Sequence, residues 1–96
     1  MIRQGELLIK KVSEIKGKRL SHLVIAEGEA TGHKHAITKG EAELYEEKGV
    51  LYLSCKETCS LTHPDHKTIE IPEGEYEITF QREYVIGDDK YRKVVD

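Results

Sequence analysis

The sequence predicts an all-β fold, a small antiparallel β-barrel or β-sandwich of jelly-roll-like type with at most one short helical turn. The chain has 96 residues, of which 38% are hydrophobic, and this suits one thin core. Residues 1–96 are therefore expected to form a single β domain. Apolar residues recur with a period of two along most of the chain, and turn-forming residues separate these runs at short, even intervals.

Eight or nine short strands account for the alternating runs. The clearest covers 76–86, where apolar and aromatic side chains occupy even-numbered positions and mostly polar side chains occupy odd-numbered ones. Arg82 falls on that apolar face, so we expect it either to lie near the rim or to have a carboxylate partner, because an unpaired buried charge is very costly. The other predicted strands are, in chain order, 6–12, 20–27, 33–38, 42–46, 50–55, 59–63, 68–71 and 91–95.

Glycine and proline mark the connections between these strands. Segment 46–49, Glu-Glu-Lys-Gly, predicts a type I hairpin turn with its glycine in the left-handed position, and 87–89, Gly-Asp-Asp, predicts the last hairpin. Segment 72–74, Pro-Glu-Gly, predicts a tight turn because proline fixes φ and glycine adopts conformations that other residues avoid. Segment 13–17 predicts the helical turn, with serine as its cap and glycine as its end.

The composition restricts the source, location and partners that we expect. Charged residues make up 34% of the chain, mostly as 14 Glu and 11 Lys, and Asn is absent, a composition typical of thermophilic proteins. The net charge is −3, and positive and negative residues are interspersed along the chain. This argues against a nucleic-acid partner, because proteins that bind nucleic acids usually gather Lys and Arg on one face. Since no apolar run is long enough to span a membrane or to act as a secretory leader, we expect a cytoplasmic protein with no membrane partner.

Two close pairs of histidines are the main candidates for a functional site. His33 and His35 lie two residues apart on a predicted strand, so their side chains point to the same face. Two such imidazoles can bind one divalent ion, Zn, Mn, Fe or Ni, and His63 and His66 can complete the ligand set. The alternative is structural, with His35 and His63 hydrogen-bonded in the core or at its rim and the other two on the surface.

Two cysteines, Cys55 and Cys59, allow three interpretations. They can form a disulfide across a hairpin, remain as two reduced buried thiols, or join the histidines in a metal site. Reduced thiols are the default in a cytoplasmic chain. The sequence contains no phosphate-binding loop, no Gly-x-Ser-x-Gly elbow and no His-Glu-x-x-His motif.

Two segments resemble the cupin motifs. Segment 28–35, Gly-Glu-Ala-Thr-Gly-His-Lys-His, followed by Glu41 and Gly49, resembles the first motif, which runs Gly, a spacer, His-x-His, Glu and Gly. Segment 72–74 is similar to the Pro-x-Gly of the second motif. The resemblance implies a cupin-like barrel in which the His-x-His pair binds a metal and Glu41 supports it. The histidine that follows Pro-x-Gly in cupins is replaced here, so the later histidine pair would supply that ligand.

A second resemblance covers about 8–84. The chain carries Gly-Glu-x-Thr-Gly-His-x-His, His-x-x-His, Ile-x-Ile-Pro-x-Gly-x-Tyr and Gln-Arg-Glu-Tyr in that order. This pattern is similar to a family of small uncharacterised prokaryotic proteins, some of them from mobile elements. The resemblance implies no activity. It marks as positions of interest His33, His35, His63, His66, Arg82 and Tyr84.

Two functions follow from these observations. The first is a metal-binding small β-barrel protein, with Arg82 near the site as an anion clamp and Tyr84 as a proton donor or orienting group. The sequence leaves open whether such a protein is an enzyme. The second is a non-catalytic homo-oligomeric module that binds a small molecule or a protein, with structural histidines and an interface of tyrosines, namely Tyr45, Tyr52, Tyr76, Tyr84 and Tyr91.

Overall fold

A computed structural model describes residues 1–27 and 32–80 together with the backbone of two further strands, and within these parts of the chain it contains strands and no helix. The strands are β1 (Ile2–Gln4), β2 (Leu7–Lys11), β3 (Lys18–Arg19), β4 (Val24–Glu27), β5 (Lys34–Lys39), β6 (Ala42–Glu47), β7 (Val50–Cys55), β8 (Cys59–His63), β9 (His66–Ile71), β10 (Gly74–Phe80), β11 (Glu83–Val85) and β12 (Lys90–Arg92). The predicted all-β fold is confirmed.

Two antiparallel sheets pack against each other. The larger has the order β1-β2-β10-β7-β6-β3 and the smaller the order β4-β5-β8-β9, while β11 pairs with β12. Successive hairpins alternate between the sheets: β1 and β2 lie in the larger, β4 and β5 in the smaller, β6 and β7 in the larger, and β8 and β9 in the smaller. The chain therefore crosses the core repeatedly, and residues far apart in the sequence meet at each end of the sheets.

The core lies between the two sheets and follows the predicted alternation. Every second residue of each central strand points inward, and these side chains are almost completely excluded from solvent. The larger sheet contributes Leu7, Ile9, Leu44, Leu53, Cys55, Tyr76 and Ile78, and the smaller contributes Ile25, Ile37, Cys59, Leu61 and Ile71. Tyr76 belongs to this core, and Tyr52 is buried outside the core cluster, so neither belongs to an exposed tyrosine interface.

Three predictions about elements were wrong. Segment 13–17 forms bends at its two ends and no helix, since four of its five residues are exposed and the one half-buried residue, Ile15, does not offset the cost of nucleating a helix. Only the second half of the predicted strand 20–27 forms a strand, β4, because residues 20–23 carry the chain from β3 in one sheet to β4 in the other. The long strand 76–86 ends at Phe80, whose side chain is 37% exposed, so the inward alternation stops after Ile78.

A tyrosine fixes the corner between β9 and β10, where the chain crosses from the smaller sheet to the larger. The hydroxyl of Tyr76 donates a hydrogen bond of 2.8 Å to the carbonyl oxygen of Pro72, and burial raises the pKa of this phenol. Gly74 has a φ of +149°, which confirms the predicted need for glycine in this turn. The hydrogen bond ties the start of β10 to the turn that precedes it.

The two cysteines lie on either side of another crossing. Cys55 ends β7 in the larger sheet and Cys59 begins β8 in the smaller, so the hairpin that the disulfide interpretation required does not form. Both are buried free thiols, and burial together with the neighbouring Cys59 thiol raises the pKa of Cys55 to about 12. Three residues separate Cys59 from His63 along β8, so Cys59 lies at the opposite end of that strand from the histidine.

The hairpin between β6 and β7 has a tighter turn than predicted. Glu47 pairs with Val50, which leaves a two-residue loop in which φ is +50° at Lys48 and +81° at Gly49. Two positive φ values in a two-residue loop define a type I′ turn, whose twist matches that of the strands. Glycine does occupy a left-handed position, but the turn is not of type I, and Lys48 is an unfavourable residue for its place.

Replacing that lysine should stabilise the protein. Asn tolerates the left-handed conformation better than Lys, so we expect Lys48→Asn to raise the free energy of unfolding by up to about 1 kcal/mol. Thermal melts would measure the change as a rise in Tm. Lys16→Asn, at an exposed position in the bend region, makes the same change of charge and should leave Tm unaltered. Equal melting temperatures for the two variants would contradict the turn assignment.

The Cys55 thiol should make stability depend on pH in the alkaline range. Its pKa rises from 9.0 to about 12 on folding, so above pH 9 the unfolded chain ionises while the folded chain does not. The contribution is complete below pH 9 and is lost as the pH rises toward 12. Chemical denaturation measures the free energy of unfolding at each pH. Between roughly pH 8 and pH 11 this free energy should fall more steeply for the wild type than for Cys55→Ala. Parallel curves would rule out this contribution.

Candidate metal centre

Three histidines meet on adjacent strands of the smaller sheet. His35 lies on β5, His63 ends β8 and His66 begins β9, and these strands are neighbours in the sheet order. The ring centroids of His35 and His63 are 4.2 Å apart, those of His63 and His66 are 4.6 Å apart, and those of His35 and His66 are 5.7 Å apart. His35 and His63 are only 4% and 5% exposed. The cluster therefore forms the polar end of the core.

An irregularity in β9 turns His66 toward the other two rings. Leu61 pairs with Ile69 and His63 pairs with His66, so one residue of β8 faces two residues of β9 between these pairs. Such a bulge inserts one residue into a strand and reverses the face that the following side chains occupy. Without it His66 would point away from the core face that His63 occupies.

His33 lies beside this cluster at the rim. Its ring centroid is 5.8 Å from that of His63, and its Nδ1 atom is 2.7 Å from Oδ2 of Asp65, in the loop between β8 and β9. The structure thus gathers all four histidines of the two sequence pairs. A carboxylate holds His33 in this place.

A buried glutamine links the cluster to the larger sheet. Gln4, on β1, is 2% exposed, and its Oε1 atom is 2.8 Å from Nδ1 of His35. Its Nε2 atom donates hydrogen bonds of 2.9 Å to the carbonyl oxygens of Leu61 and Lys67, on β8 and β9. One side chain of the larger sheet therefore contacts three strands of the smaller one.

The loop between β8 and β9 determines the hydrogen bonding of His63. The backbone N–H of Asp65 donates a hydrogen bond of 3.0 Å to Nδ1 of His63. In the neutral ring the proton must then lie on Nε2, an atom that is shielded from solvent. The ring is positioned through the loop of its own hairpin.

The triad has the dimensions of a candidate cation site. One ring nitrogen from each of His35, His63 and His66 lies within 4.8 Å of the others, and none of the three is exposed. Three imidazoles are a ligand set found in catalytic zinc sites, where a fourth position takes water or substrate. A groove of about 550 Å³ between β5 and β8 borders the cluster at His33 and His63, with Lys34 and Pro64 among its lining residues.

Glu41, one of the three predicted supporting residues, is not part of this arrangement. The carbonyl oxygen of Glu41 accepts hydrogen bonds from the N–H of Lys56 and the thiol of Cys59, so Glu41 lies at the other end of β5 from His35. The expectation that it supports the histidines was wrong, because β5 carries it away from them. Arg82 and the side chain of Tyr84 lie outside the described residues, as does the predicted hairpin at 87–89.

Sequence reasoning missed β1, and with it Gln4 and Gly5. The signal was a glycine between two short alternating runs, because Gly5 and Glu6 form a two-residue loop in which Gln4 pairs with Leu7. Gly5 has a φ of +57°, and a Cβ atom there would lie 2.6 Å from Nε2 of His66. Both its conformation and the close approach of the imidazole require glycine.

Substitution of this glycine should displace His66 from the triad. Gly5→Ala combines a left-handed backbone penalty of about 1–2 kcal/mol with a collision against the ring. We expect a lower Tm and changed NMR signals for the His66 ring. Gly49→Ala is the matched control, since its φ is also positive but no atom lies within 4 Å of the position that its Cβ would take. It should lower Tm without altering His66, and identical ring signals in both variants would contradict the proposed contact.

Comparison with known proteins identifies the family. Within the described residues there is no helix of the length and hydropathy that crossing a membrane requires. No match is found among the curated proteins or among the solved structures. A family model described as a domain of unknown function, DUF8820, matches residues 3–81, a span that contains Gln4 and the four histidines of the cluster. The chain therefore belongs to the DUF8820 family.

Proposed function

We propose that the protein binds a divalent transition-metal ion through His35, His63 and His66. The observation that supports this most directly is the approach of their ring nitrogens to within 4.8 Å at the polar end of an otherwise apolar core. Zinc–nitrogen bonds of about 2.0–2.1 Å imply nitrogens roughly 3.4 Å apart, so a pair at the 4.8 Å limit has to close by about 1.4 Å. His63 ends β8 and His66 begins β9, on either side of a two-residue loop. A change in the conformation of this loop is therefore enough to bring their rings closer together.

The ligand chemistry narrows the choice of ion. Imidazole nitrogens suit Zn, Ni and Fe, whereas Mn favours carboxylate oxygens. Because the triad contains no carboxylate, we rank Zn and Ni first, Fe next and Mn last. We also propose His33 as a fourth, weaker ligand, because its ring lies beside that of His63. Together with His35 it forms the His-x-His pair that resembles the first cupin motif.

Metal binding by His63 would alter the loop that precedes His66. If the ion binds Nδ1, it displaces the N–H of Asp65 directly. If it binds Nε2, the proton of the neutral ring moves to Nδ1 and faces that same N–H. In either case the amide of Asp65 loses its acceptor. Occupancy of the site is therefore coupled to the conformation of the Pro64–Asp65 loop.

Metal titration tests the proposal. Isothermal titration of chelator-treated, untagged protein with Zn²⁺ or Ni²⁺ should show one site per chain and a rise in Tm. His35→Ala, His63→Ala and His66→Ala should each weaken binding by at least tenfold, and His33→Ala by less. His22→Ala is the matched control, since His22 lies outside the cluster with Nδ1 bonded to the N–H of Val24. Unchanged Tm and no heat of binding in the wild type would reject the proposal in favour of the homo-oligomeric module with structural histidines.

The Asp65 amide provides a second, local test. On adding one equivalent of Zn²⁺ we expect the N–H resonance of Asp65 to shift and its hydrogen exchange to accelerate, because the bond to His63 breaks. Amides at the far end of β8, such as that of Ser60, should be unaffected or better protected. A metal-bound protein in which the Asp65 amide keeps its position and its protection would exclude His63 as a ligand.

A further inference from the structure

Gln4 is the polar side chain that reaches the histidine cluster from the opposite sheet. It lies on β1, a three-residue edge strand, and is 2% exposed. A buried amide must satisfy both its N–H groups and its oxygen, since an unpaired polar group in the core is costly. Gln4 meets this requirement with three hydrogen bonds, all directed at the smaller sheet.

The two acceptors on the smaller sheet fix which way the amide of Gln4 faces. The carbonyl oxygens of Leu61 and Lys67 accept hydrogen bonds only, so the NH₂ group must point at them. Lys67 lies within the bulge of β9, where the ladder of strand hydrogen bonds is interrupted. The amide therefore satisfies a carbonyl that the bulge removes from the regular ladder, and its own Oε1 is left facing His35.

The orientation of Gln4 determines the tautomer of His35. Since Oε1 can only accept, Nδ1 of His35 must donate and therefore carries a proton. In the neutral ring this leaves the lone pair on Nε2, the nitrogen turned away from Gln4. A neutral histidine in water favours the opposite tautomer, with the proton on Nε2. The glutamine thus holds His35 in the form that a metal ion requires at Nε2.

We propose that Gln4 is the positioning residue of the metal site and presents Nε2 of His35 to the ion. This inference rests on the proposed function for its metal-binding part, whereas its statement about the tautomer of His35 concerns the metal-free protein. Metal-binding histidines commonly donate their second N–H to an outer partner, and loss of that partner lowers metal affinity by about 10–100-fold. The partner here comes from the first hairpin, so the site depends on a strand that precedes all of its ligands.

Three variants separate positioning from stability. Gln4→Leu removes all three hydrogen bonds, whereas Gln4→Glu keeps an acceptor for Nδ1 of His35 and loses both donors. Ile2→Ala is the matched control, because Ile2 also lies on β1 and packs against the core but has no side-chain amide. All three should lower Tm. We expect Gln4→Leu to weaken Zn²⁺ binding by about 10–100-fold, Gln4→Glu to retain most of it, and Ile2→Ala to bind as the wild type does.

Histidine ¹⁵N NMR of the metal-free protein supplies the readout that stability does not affect. Wild-type His35 should show the Nδ1–H tautomer, and Gln4→Leu should show a shift toward Nε2–H. Finding Nε2–H in the wild type would overturn the proposal, even if no variant folds. Zn²⁺ affinities that follow Tm across the three variants would also overturn it. If the wild type shows the Nδ1–H tautomer and binds no metal, the proposed function fails while the orienting role of Gln4 stands.

Discussion

The alternation of inward and outward side chains along the strands is the constraint on which this small protein depends. Each strand can offer only every second residue to the space between the sheets, so a thin set of aliphatic side chains, with two thiols and one tyrosine, forms the core. At one end of that space the inward positions are histidines instead, and their desolvation is tolerated because Gln4 and the loop at Asp65 supply hydrogen bonds. The polar cluster therefore lowers the stability of a core that has little apolar area. Such a loss of stability at a functional site is common in proteins.

Much of the fold could be predicted from the sequence because its signals are local. Period-two runs identify strands such as β6, β7 and β8 to within a residue or so, and glycine at 49 and 74 marks real turns. His35 and Ile37 share the buried face of β5, because the pleat of a single strand places alternate residues on one side. Local patterns failed where the chain changes sheets, as at 20–27 and at 56–58, since a crossing and a hairpin use the same turn-forming residues.

The candidate site could be predicted only in part, because only some of its signals are local in the sequence. The paired histidines stand out in the sequence, but their convergence depends on strand order, which brings β5 beside β8 and leaves Glu41 at the far end. Gln4 carries no sequence signal for its role, because a glutamine near the N-terminus is ordinarily a surface residue. Its importance follows from the edge position of β1 against β9 and from two backbone carbonyls, and neither can be read from side-chain identities.

The bulge in β9 gives the interval between His63 and Ile69 a meaning of its own. Because one additional residue is what rotates His66 inward, the number of residues between His66 and Ile69 matters more than their identity. Lys67 and Thr68 are exposed and contribute mainly their backbone, so many substitutions there are compatible with the cluster. Loss or gain of one residue would point His66 at the solvent and remove the carbonyl that Gln4 uses. The site is thus encoded in part as a length, a property that divergence by substitution leaves intact and a single insertion or deletion abolishes.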